Sequence, residues 1–101
     1  MCEFKIIRIN DNSQILEDIV LISYNDENKL VLKDVIGMGE ILESALILDV
    51  NTVNQRCTIL ENPLVKDIVS LLVKLNEKNA TESDVDIIVK QLEALKGEIP
   101  N

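Results

Sequence analysis

Two observations predict an α+β fold for this chain. Five short β-forming runs separated by polar turns fill roughly its first sixty residues, and from Asn62-Pro63 onward the apolar residues recur at helical spacing instead. The 101 residues, 47% of them apolar, suffice for one modest core.

The first run, Glu3 to Ile9, is β-branched and apolar, with Phe4 and Ile6 on one face and Ile7 and Ile9 on the other. It begins directly after Cys2, so that thiol should sit on a well-ordered edge. Asn10-Asp11-Asn12-Ser13 consists of four turn formers whose side chains bond nearby backbone. Ile15 to Tyr24 follows, and the Glu17-Asp18 pair inside it marks a bend or bulge between two strand pieces, the clearer being Ile19 to Tyr24. After a second turn at Asn25-Asp26-Glu27-Asn28, Lys29 to Ile36 is expected to be a strand, broken by Gly37-Met38-Gly39. Within Glu40 to Val50 the segment Leu46 to Val50 is a compact strand. Asn51 to Asn54 then turns the chain into Gln55 to Leu60, which alternates Arg56, Thr58 and Leu60 against Cys57 and Ile59. Closure into a small antiparallel barrel would remove the edges that such short strands expose, and the spacing suits an SH3-like barrel.

The helical part opens with Asn62 as N-cap and Pro63 in the first helical position, where its missing N–H costs nothing. Leu64, Ile68, Leu71, Leu72 and Leu75 form one apolar stripe, predicting a helix to about Lys78. Thr81-Glu82-Ser83-Asp84 is a capping box that starts a second helix, striped by Val85, Ile88, Val89, Leu92 and Leu95 and expected to stop at Gly97 and Pro100. With Asn79-Ala80 alone between them the two helices make an αα-hairpin, whose wide apolar surface must pack on the β part or on a second subunit. The expected organisation is a β domain at residues 1–61, the hairpin at 62–97 and a tail at 98–101.

Composition excludes several functions. The net charge is −8, with 18 acidic against 10 basic residues, and both halves are acidic, so a phosphate backbone would be repelled. One Tyr, one Phe and no Trp leave no platform for stacking bases. The absence of histidine removes Ser-His-Asp and Cys-His nucleophiles and the commonest general base, so enzymatic hydrolysis is not expected. No signal-peptide pattern and no apolar run of about 20 residues occurs, which points to a cytoplasmic protein with no membrane partner. Cys2 and Cys57 belong to no C-x-x-C pair and form no disulfide framework.

The remaining candidates for chemistry are few. Gly37-Met38-Gly39 lacks the Lys-Ser/Thr of a phosphate loop, and Met38 is expected to be a turn residue. Asp11, Asp26, Glu27 and the Glu17-Asp18 pair lack calcium-loop spacing, and Cys57 lies mid-strand as a small buried hydrophobe.

Residues 1 to about 61 resemble the CooT family of small nickel-binding proteins associated with carbon monoxide dehydrogenase. The likeness lies in Met1-Cys2-Glu3, the run to Ile9, Leu16-Glu17-Asp18-Ile19-Val20-Leu21-Ile22, Val31-Leu32-Lys33-Asp34-Val35-Ile36-Gly37, and Ile47-Leu48-Asp49-Val50 leading into Cys57-Thr58-Ile59-Leu60. The resemblance implies an SH3-like barrel, a homodimer, and one nickel ion bound through Cys2. The hairpin after Asn62 has no counterpart in the short members of that family. Some members have been labelled RNA binders, which the charge and aromatic shortage count against here.

If Met1 is removed, Cys2 offers an amine and a thiolate that close a five-membered chelate. Four ligands would then come from two chains across a two-fold axis, or from one chain with further backbone amides such as that of Glu3. Square-planar nitrogen and sulfur donors suit Ni(II), although Cu(II) binds such donors more tightly and Zn(II) accepts thiolates in a tetrahedron. The leading expectation is a non-enzymatic nickel-binding homodimer serving a nickel apoenzyme or maturation factor. Without the resemblance, a terminal cysteine is weak metal evidence. The alternative is a protein-interaction module in which Cys2 is incidental.

Overall fold

The computed structural model describes residues 2–100, and its chain forms two sheets and two helices, an α+β arrangement. Seven strands are present: β1 (Phe4–Arg8), β2 (Ser13–Ile19), β3 (Leu21–Tyr24), β4 (Leu30–Lys33), β5 (Gly39–Leu42), β6 (Ala45–Asn51) and β7 (Arg56–Glu61). The helices are α1 (Pro63–Asn76) and α2 (Glu82–Glu98). One sheet has the order β2-β1-β7-β6 and the other β3-β4-β5, and among the described residues their ladders do not join into one closed ring.

One pairing corrects the all-antiparallel expectation. β1 and β7 run parallel, in register from Lys5↔Arg56 to Arg8↔Ile59. Parallel neighbours need a long crossover, and here the whole excursion through β2 to β6 supplies it. An apolar alternation carries no information on strand direction, so the sequence pattern leaves this open.

The Glu17-Asp18 irregularity is present, with Asp18 at φ 59° and register shifts between β1 and β2, but the chain stays in β2 until Ile19. Val20 alone separates β2 from β3, and its N–H donates to Lys33 O at 2.9 Å, so the polypeptide passes from one sheet to the other at that point. The strand expected to continue to Ile36 stops at Lys33. Asp34 turns the chain instead, its carboxylate accepting from the Ile36 and Met38 amides at 3.0 and 2.9 Å. Two strands, β5 and β6, occupy the stretch in which the sequence pattern marked one.

The core lies between the sheets and is built from Ile6, Ile19, Leu30, Leu32, Ala45, Cys57 and Ile59. Tyr24 ties the sheets together, its hydroxyl donating to Ala45 O at 2.7 Å and accepting from Ile47 N–H at 3.3 Å.

Both helix starts are as expected. Asn62 Oδ1 accepts from Leu64 N–H at 2.9 Å, and Thr81 and Asp84 form the reciprocal capping box. Helix α1 ends at Asn76, two residues earlier than expected, because Lys78 takes a left-handed conformation at φ 61°. Asn79 N–H then reaches Lys74 O and Lys78 N–H reaches Leu75 O, the two bonds of a Schellman cap. Helix α2 runs through Gly97 to Glu98, since one glycine weakens a helix without ending it, so the tail is one residue shorter than expected. Neither helix is long and apolar enough to cross a membrane.

Candidate functional site

Strand β1 is an interior strand, bonded to β2 on one side and β7 on the other, and Lys5 N–H donates to Gln55 O at 2.9 Å. The chain is therefore anchored from Phe4 onward, and Cys2 lies two residues ahead of that anchor with its side chain exposed. Glu3 is exposed beside it. Because β1 and β7 are parallel, Cys2 lies near the Arg56 end of β7, while α1 starts beyond the opposite end, after Glu61.

Among the described residues no three His, Cys, Asp or Glu side chains gather into a metal-holding group. The donors at this terminus are those of residue 2 itself, with the Glu3 amide next in line. That donor set fits a chelate completed by backbone or by a partner. The retention or removal of Met1, which decides whether Cys2 has a free amine, lies outside the described residues.

Cys57 takes no part. It is buried beside Ile6 and Ile59, and burial, with the nearby Asp49 carboxylate adding to it, pushes the thiol up and keeps it protonated. Met38 projects from the exposed turn between β4 and β5. Asp11 is held by Arg8 and Ser13, and the Arg8 hydrogen bond keeps its carboxyl well below the usual carboxylate range.

The face between α1 and the four-stranded sheet was not anticipated as a site. Asn10 bonds both backbone groups of Glu61, each at 2.8 Å, while Ser44 accepts from Lys66 N–H and donates to Asn62 O, so the start of α1 is tied to the sheet. Glu43 bridges Lys29 and Lys66 at 3.2 and 2.8 Å across the same corner. Beyond that corner α1 and β6 bound an apolar groove of about 310 Å³, lined by Leu46, Leu60, Leu64, Ile68 and Leu72. The wide apolar stripe of α1 was the only signal for it in the sequence.

A smaller cavity of about 170 Å³ lies in the seam between the helices. Polar side chains pair across the seam, Lys74 donating to Asp84 at 3.0 Å and the Gln91 amide donating to Asp67, while Gln91 Oε1 is buried without a partner.

The fold and its terminus define an α+β protein in which an exposed thiol stands just before a central strand. No family model, curated protein or solved structure matches the chain.

Proposed function

We propose that this is a nickel-binding protein that holds Ni(II) through Cys2 and passes it to a nickel enzyme, such as carbon monoxide dehydrogenase, or to a maturation factor. The observation that carries the proposal is the exposed Cys2 thiol immediately before an anchored strand, at the position where the likeness to the CooT family puts its ligand. The two sheets sharing one core are interpreted as an SH3-like barrel, open in part. The protein acts in the cytoplasm, where unpaired cysteines stay reduced, and it catalyses no reaction. Its net charge of −8 favours cations near the surface and disfavours nucleic acid.

Nickel bound here would be held by the Cys2 thiolate and amine, completed either by the same pair from a second copy or by backbone amides beginning with Glu3. Both donors must lose protons, so binding releases protons and strengthens as pH rises. The test is a Ni(II) titration of protein shown by mass spectrometry to begin at Cys2, following thiolate-to-metal absorption, with Cys2→Ser in parallel. One nickel per two chains indicates the shared site, one per chain indicates the backbone-completed site, and the substitution abolishes either. Binding weaker than ~10 μM, or binding indifferent to Cys2, overturns the proposal. The second reading, a protein-interaction module, is favoured by the unpartnered apolar groove and requires no metal.

A further inference from the structure

The groove between α1 and β6 continues into a wider apolar face on the hairpin. In α1, Asp67, Leu71 and Lys74 turn toward α2 while Val65 and Val69 turn toward β6, so Ile68, Leu72 and Leu75 lie on the arc between. In α2, Asp84, Ile88 and Gln91 turn toward α1, and Val85, Val89 and Leu92 follow one step around the helix. Right-handed helices running antiparallel place these two arcs on the same side of the hairpin, the side of the groove at Leu46. The six side chains on the two arcs are 37% to 58% exposed.

Carboxylates border this face. On the side of α2 away from α1, Glu82 stands three residues before Val85, Asp86 three before Val89 and Glu93 four after Val89, so each is a surface neighbour of the apolar row. Asp49 is exposed at the β6 margin, beyond Leu46. None of these four acids joins an ion pair among the described residues. Against them the border carries Lys96, four residues after Leu92.

We infer that this face receives a basic amphipathic helix of another protein, its apolar side on Ile68, Leu72 and Val89 and its lysines or arginines against the bordering carboxylates. Charge selects that occupant. A second copy would bring another net charge of −8 and a nucleic acid its phosphates, while a basic segment gains from both the apolar face and its border. A helix suits the shape, because the rows on α1 and α2 run side by side and a third helix laid between them continues the ridge-into-groove packing of the hairpin. The inference names a partner for the interaction-module reading, rests on that groove, and uses neither Cys2 nor nickel.

The probe is a synthetic peptide of about 18 residues with leucine at helical spacing and lysine elsewhere, titrated by calorimetry into the full chain with chelator present. A dissociation constant of ~10 μM or tighter is expected, unchanged in Cys2→Ser. A peptide of the same composition with scrambled leucine spacing, and one with glutamate in place of lysine, should each bind at least ~10-fold more weakly. Ile68→Gln combined with Val89→Gln should weaken binding to a similar degree, with helix content retained by circular dichroism. Glu82→Gln, Asp86→Asn and Glu93→Gln together should weaken it at least ~5-fold and flatten its salt dependence. Glu17→Gln, Asp18→Asn and Asp26→Asn remove the same charge from exposed positions of the β part, and should leave the affinity within about 2-fold. Equal weakening by the two charge sets, or equal binding of the scrambled peptide, overturns the inference. So does a chain that sediments as a dimer and takes up no peptide.

Discussion

Gly39 shows how a single position can decide the local chain path. A Cβ built there would lie 1.9 Å from the Leu32 carbonyl oxygen, and that oxygen belongs to a backbone held in the β4–β5 ladder. No side-chain rotation relieves such a contact. Gly39→Ala should therefore cost at least about 2 kcal/mol, more than the ordinary penalty for replacing a turn glycine, and urea denaturation measures it. At Gly37 a Cβ would meet open space and only its φ of 87° resists substitution, so Gly37→Ala is the milder change of the pair. The adjacent Asp34 carboxylate organises the same turn through two backbone amides, a role its place in an apparent strand run did not disclose.

At the scale of elements, the helix starts were legible because capping is local chemistry. Asn62-Pro63 and Thr81-x-x-Asp84 each satisfy amides within three residues, and the structure shows both. The end of α1 was not legible, because Lys78 adopts a left-handed conformation that sequence statistics assign to glycine. The Asp84 carboxyl lies below its ordinary range, owing first to the Thr81 backbone N–H and then to Lys74 and the Thr81 hydroxyl. A depressed folded-state value means stabilisation that is present above about pH 4 and lost as pH falls through the depressed value. Thermal melts between neutral pH and pH ~3 should show this loss, and Asp84→Asn should reduce its size.

At the scale of the molecule, the two sheets hold together through a common core and one polar strap. Tyr24 on β3 reaches Ala45 and Ile47 on β6, and its ring packs against the core. Tyr24→Phe keeps the ring and removes both bonds, leaving a carbonyl and an amide without that partner. The expected loss is about 1 to 3 kcal/mol by chemical denaturation, with secondary structure unchanged. The hairpin is joined to this body at the Ser44 and Glu43 corner and by α1 along β6, while α2 packs mainly on α1, which is why the chain is long for its mass.

The sequence by itself determined the α+β class, the change from β to α at Asn62-Pro63, both caps, the burial of Cys57 and the turns at Asn25 and Gly37, because periodicity and turn chemistry act over a few residues. It also isolated Cys2 as the thiol ahead of the first strand. Only the tertiary structure decided that β1 and β7 run parallel, that β1 is an interior strand, and that Cys2 and the hairpin lie toward opposite ends of the four-stranded sheet. It decided as well which side of the hairpin stays uncovered. Those facts depend on which distant segments meet, and strand alternation is the same whichever neighbour a strand chooses and in whichever direction it runs.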